Sequence, residues 1–132
     1  MFTLGHDFKP ANIHAGGLRY HGAGMIISQL IKDGYMHGVD VAQTEAFEAG
    51  MLFARVEGII PAPESCHAIA ATIREAKKAT EEGKNTVILF CLSGHGLIDM
   101  PSYESYLNGD LHDYRVSDEE INKFLQTVPQ VD

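Results

Sequence analysis

Two prolines set two residues apart, Pro61 and Pro63, constrain this chain more than any other feature. Proline fixes φ and removes a backbone donor, and it biases the preceding residue toward extended backbone. The run Ile59-Ile60-Pro61-Ala62-Pro63-Glu64 therefore reads as a rigid crossing, and helical periodicity stands on both sides of it. Upstream, Thr44 reads as the N-cap of a helix over 45–57, with Phe47, Leu52, Phe53 and Val56 on its buried face and Gly58 as its stop. Downstream, a long amphipathic helix carries Ile69, Ile73 and Ala76 inward and Arg74, Glu75, Lys78 and Glu81 outward, and Gly83 closes it. The crossing delivers the Glu64 carboxylate to a helix start, where the macrodipole favours negative charge.

The rest of the pattern predicts an α/β fold. Thr86 to Leu92 is a continuous apolar run without alternation, as expected of a strand covered on both faces. Val39 and Val41 give a shorter alternating strand. Strand, helix, helix, strand in that order implies a small parallel sheet with flanking helices and a right-handed crossover. Ile26, Ile27, Leu30 and Ile31 recur at helical spacing from Met25 to Asp33, with Gly34 as a stop. Asp99 and Pro101 open a short helix that ends at Asn108-Gly109. Ser117 and Glu120 form a capping box for a last helix with an apolar stripe of Ile121, Phe124, Leu125 and Val128, ended by Pro129. Residues 1–22 show no helical or strand periodicity, and 1–24 contain five glycines and Pro10. A long irregular opening suits a piece of a larger protein better than an independent domain.

Composition excludes several functions. At 132 residues the chain is one domain with room for a core. A formal net charge of -8 argues against nucleic acid, since neutralising phosphates needs surplus Lys and Arg. No apolar stretch approaches the roughly 20 residues of a membrane span, and the N-terminus lacks a signal-peptide pattern. Cys66 and Cys91 lack framework spacing, which fits a reducing compartment and a cytoplasmic protein. Seven scattered histidines show neither His-x3-His nor a paired-cysteine motif, so a structural metal is disfavoured. A Cys91–His95 nucleophile is disfavoured too, because an apolar strand would raise the thiol pKa.

The strongest ligand-facing candidate is the turn Leu92-Ser93-Gly94-His95-Gly96. Open α/β sheets bind ligands at the carboxyl ends of their strands, and the two glycines allow close approach to the backbone. On the residues alone, a plain strand-ending turn explains it equally well. The run from Glu57 to Ala68, containing Pro61-Ala62-Pro63-Glu64-Ser65-Cys66-His67-Ala68, and the Leu92–Gly96 turn together resemble the C-terminal part of the tryptophan synthase β family, and in particular its second, β-like branch. The resemblance covers residues 3–115. It implies a fold type II pyridoxal-phosphate (PLP) enzyme that condenses L-serine with indole to give tryptophan and water.

On that resemblance Ser93 is the hydroxyl that bonds the pyridine nitrogen of PLP, with Gly94 beside it and Glu64 near the ring. A hydroxyl does not force protonation of the ring as an aspartate would, which suits β-replacement. His67 is expected to serve packing or helix-start hydrogen bonding. The loop from Ile13 to Gly24 resembles the family's substrate-closing loop, in which Leu18, Tyr20 and Gly22 would supply backbone carbonyls to a monovalent cation. Arg19 stands where the family's main branch has an acidic residue, and Gly16-Gly17-Leu18-Arg19-Tyr20-His21-Gly22 marks the β-like branch. The resemblance thus divides the chain into a substrate and cation loop over 1–24 and an α/β segment over 25–132 that forms one wall of a PLP site.

The family's cofactor lysine and Gly-rich phosphate loop have no counterpart among these residues. The six lysines, Lys9, Lys32, Lys77, Lys78, Lys84 and Lys123, fall outside the lysine motif, so no catalytic residue is assigned and the chain alone is expected to be inactive. Its expected partners are a second copy through Met25–Ile31 or Ile121–Val128, the missing N-terminal part of the enzyme, or a tryptophan synthase α chain. The alternative is a non-catalytic module that retains the α/β scaffold for self-association or partner binding.

Overall fold

The structure, a computed structural model, describes residues 1–128. Its elements are a 3-10 turn at Gly16–Leu18 and five helices: α1 (Met25–Lys32), α2 (Gln43–Glu57), α3 (Pro63–Glu81), α4 (Met100–Leu107) and α5 (Asp118–Leu125). The described residues divide into two compact units, one of residues 1–13, 17–39 and 114–128, the other of 14–16 and 40–113.

The expected parallel sheet does not form. Among the described residues β pairing is limited to two isolated antiparallel bridges, Thr3 with Gly22 and Pro61 with His95. Thr86–Leu92 runs without regular structure. Ile88 and Phe90 turn partly inward, while Val87 and Leu89 are 99% and 95% exposed. A strand needs a neighbour about 4.8 Å away to satisfy its N–H and C=O groups, and among the described residues none pairs with this one. Val41 packs against the helical core instead of forming a ladder.

The larger unit is built on α2 and α3. Ala46, Phe47 and Ala49 of α2 and Cys66, Ile69 and Ala70 of α3 are buried in its core, joined by Tyr103 of α4. The inward face of α2 is therefore centred on small residues. Leu52 and Val56, expected inside, are exposed, as is Ala76 of α3. Small side chains let the α2 backbone approach α3 closely, and that sets which face turns inward. Phe47 stacks on Tyr106, centroids 5.7 Å apart, and meets Tyr103 edge-on at 5.0 Å. Thr44 is not the N-cap of α2: the cap is Ala42, which has no capping side chain. Asp113 supplies the missing acceptors, taking the Thr44 N–H at 3.0 Å and its hydroxyl at 2.7 Å. Gly58 ends α2 at φ 70°, and Pro63 opens α3 in the first turn, where its missing N–H costs nothing.

In the smaller unit, residues 2–4 pair with 21–23 through Leu4 N–H to His21 O and Ala23 N–H to Phe2 O, both 2.9 Å. Phe8 is buried, edge-on to Phe124 at 5.2 Å and to His21 at 6.3 Å. The capping box of α5 is formed: Glu120 N–H donates to Ser117 Oγ at 3.2 Å and Ser117 N–H to Glu120 Oε2 at 3.1 Å. Helix α5 ends at Leu125, so Val128 lies beyond it; the Pro129 stop lies outside the described residues.

Candidate functional site

The Pro-rich crossing and the Ser93–Gly96 turn meet in the larger unit as a short antiparallel pair. Gly96 N–H donates to Ile60 O at 2.8 Å, Ala62 N–H to Gly94 O at 3.4 Å, and Ser65 Oγ–H to Ser93 O. Gly94 has φ 80°, a left-handed turn that glycine adopts without strain. Gly96 is buried, and a Cβ there would run into Pro61 O and come within 2.9 Å of Ile60 Cγ2 and 3.0 Å of the Tyr103 ring. Both glycines are therefore needed for the turn to lie on the crossing.

Glu64 stands in the first turn of α3 and is partly buried. Its neighbours Pro63, Ser65 and Cys66 are buried. Ser93 is exposed. Its carbonyl is tied down by Ser65, the residue next to Glu64, so the backbone of one motif is fixed to the start of the other. His67 Nδ1 lies 2.8 Å from Pro63 O, a helix-start contact in which the ring nitrogen donates.

Beneath this pair lies a buried polar group that the sequence does not announce. Tyr103 Oη–H donates to Pro61 O at 2.6 Å, and Cys66 Sγ lies 3.3 Å from the same hydroxyl oxygen. With the hydroxyl hydrogen on Pro61, the thiol is the donor to Tyr103. Burial pushes the Cys66 thiol above its usual range. Burial holds the Tyr103 phenol far above the usual tyrosine range. Both groups stay protonated and act as hydrogen-bonding posts. Gly50 of α2 makes room for them, since a Cβ there would lie 2.5 Å from Cys66 Sγ and 3.0 Å from Tyr103 Oη. A glycine inside an apolar-periodic helix is the sequence signal of such an approach; Tyr103 carries none.

The loop residues Leu18, Tyr20 and Gly22 are exposed and belong to the smaller unit. Gly22 sits at the bridge to Thr3, where the carbonyl used by Leu4 is that of the intervening His21. Arg19 Nη1 donates to Asn12 Oδ1 at 3.4 Å, an exposed contact. Among the described residues no three His, Cys, Asp or Glu side chains cluster as metal ligands. An open groove of about 600 Å³ lies elsewhere in the larger unit, lined by residues that include Ala49, Arg55, Ile73 and Lys77, and none of the expected site residues faces it. Arg74 on its rim makes a two-point ion pair with Glu45 and donates to Asp40 O at 3.0 Å.

No family model matches the chain. Curated relatives do. A "Tryptophan synthase beta chain 2" of Thermotoga maritima is 62% identical over 103 residues, 78% of this chain and 24% of the relative. Proteins of the same description from Aquifex aeolicus and Pyrococcus furiosus are 58% and 54% identical over 113 and 129 residues, 86% and 98% of this chain. The chain belongs to the tryptophan synthase β family. It spans about a quarter of the length of these relatives. Among the described residues no helix is long and apolar enough to cross a membrane.

Proposed function

We propose that this chain forms one wall of the PLP site of a tryptophan synthase β-type enzyme, as the C-terminal part of that enzyme, and that it is inactive alone. The reading is carried by one observation: the Ser93–Gly96 turn is hydrogen-bonded onto the start of α3, so the candidate hydroxyl and the candidate carboxylate share one backbone framework. The residues present fit one side of the cofactor. The exposed Ser93 hydroxyl would hold the pyridine nitrogen, the Cβ-free Gly94 would let the ring come close to the backbone, and Glu64 would stand beside it at a helix start. PLP, when bound, supplies the electron sink for replacing the serine hydroxyl with indole. A neutral hydroxyl at the ring nitrogen limits that sink and favours replacement over transamination. Leu18, Tyr20 and Gly22 would offer carbonyls to a monovalent cation, with Arg19 in the substrate loop. The free thiols of Cys66 and Cys91 suit the cytoplasm.

The test is the absorbance spectrum after adding PLP to the chain, with and without a separately expressed upstream three-quarters of the Thermotoga relative. Cofactor absorbance is expected only in the mixture. Borohydride reduction and mass spectrometry should find no stoichiometric pyridoxyl-lysine on the chain alone; a single labelled lysine there, or no cofactor absorbance in the mixture, refutes the proposal.

A second reading, association with another copy or with an α chain, is favoured by exposed apolar side chains. Met25 and Ile26 of α1 are 77% and 76% exposed. Phe124 of α5, by contrast, is partly buried against Phe8, so α1 is the better candidate contact. Sedimentation at micromolar concentration showing only a 14.5 kDa species would exclude self-association.

A further inference from the structure

We propose that Tyr103 is the positioning residue of this wall: its hydroxyl holds the Pro61 carbonyl, and through it the crossing on which the Ser93–Gly96 turn is laid. The functional half of the inference rests on the reading just given; the structural half does not. In the antiparallel pair, Ile60 gives its carbonyl to Gly96 and Ala62 its N–H to Gly94, and the Ala62 carbonyl takes the Cys66 N–H at 3.1 Å. Pro61 has no N–H, so its carbonyl is its only backbone handle. That carbonyl is engaged by Tyr103 Oη, reaching across from α4 at 2.6 Å.

Tyr103 serves the turn as well. Its ring lies against the place a Gly96 Cβ would take, so one side chain supports both strands of the pair. The residue is itself immobilised, 3% exposed, edge-on to Phe47 and accepting from Cys66. Without the hydroxyl, a buried carbonyl at the centre of the crossing loses its partner, and the pair that fixes the Ser93 backbone loosens while α2 and α3 keep their packing.

The experiment compares Tyr103→Phe with Phe47→Leu, a core substitution that touches the Tyr103 ring and leaves its hydroxyl bond in place. Amide hydrogen exchange is followed by NMR in the whole chain. Gly96 exchange should rise about tenfold in Tyr103→Phe, the loss expected of one buried hydrogen bond. In Phe47→Leu it should stay within about twofold of the parent, because local opening of the turn does not depend on core stability. Equal exchange at Gly96 in the two variants overturns the proposal. Circular dichroism checks that Tyr103→Phe keeps its helices. If it does not, Cys66→Ala decides: it removes the donor to Tyr103 but leaves the Pro61 bond, so Gly96 exchange must stay at the parent value, and a rise there refutes the assignment. In the mixture with the upstream polypeptide, PLP titrated by its visible absorbance should bind about tenfold more weakly to Tyr103→Phe than to Phe47→Leu, and equal affinities overturn the functional half. If the unsubstituted mixture binds no PLP, the proposed function fails, and the exchange comparison still decides the role of Tyr103.

Discussion

Replacing Gly50 with alanine sets helix propensity against packing, and the geometry decides the sign. Alanine inside a helix is favoured over glycine by about 1 kcal/mol. In α2 the new Cβ would stand 2.5 Å from Cys66 Sγ and 3.0 Å from Tyr103 Oη. Both neighbours are buried, and the sulfur can turn aside only by leaving Tyr103. Overpacking of this kind costs about 1–3 kcal/mol, and the lost hydrogen bond costs about 1 kcal/mol more. The net is a destabilisation of about 1–3 kcal/mol. Urea denaturation followed at 222 nm should show the midpoint falling by about 1 M, given a slope of about 1–2 kcal/mol/M for a chain of this size. The companion variant Cys66→Ala removes the atom in the way. The double variant should therefore be more stable than the two single losses added together, a coupling of about 1 kcal/mol or more. A Gly50→Ala chain with a raised midpoint, or strict additivity in the cycle, would refute the packing argument and leave propensity in control.

Four further outcomes are expected. Phe47→Ala, which empties the centre of the α2–α3–α4 core, should cost about 3–5 kcal/mol in the same denaturation assay. In a thiol titration with an aromatic disulfide at pH 8, exposed Cys91 should react at once, and buried Cys66, its thiol pushed up by burial, only in denaturant; two fast thiols would contradict the burial. The Glu120 carboxyl is held below its usual range by the Ser117 N–H and then by the Ser117 hydroxyl. Its cap on α5 should be complete above the ordinary value of 4.5 and be lost as pH falls through the lowered one, read as reduced protection of the Ser117 amide relative to its intrinsic exchange rate at each pH. Ser93→Asp, at an exposed turn, should change the stability of the chain by less than about 0.5 kcal/mol and leave its circular dichroism unaltered.

Local chemistry determines much of this protein independently of any tertiary contact. The Ser117–Glu120 capping box, the Gly58 stop and the proline-opened α3 follow from backbone groups satisfied within a few residues, and the structure contains all three. The family resemblance was legible too, because it rests on contiguous motifs, and relatives up to 62% identical bear it out. The sheet is not legible in sequence because Thr86–Leu92 has the composition of a buried strand, yet strand formation depends on a partner that can lie anywhere in sequence. Its backbone finds none among the described residues. Only the tertiary structure decided that small residues turn α2 inward, that Asp113 replaces Thr44 at the helix start, and that Tyr103 holds Pro61 from 42 positions away. Each depends on contacts between residues remote in sequence, where periodicity and propensity carry no information about which side chain will arrive.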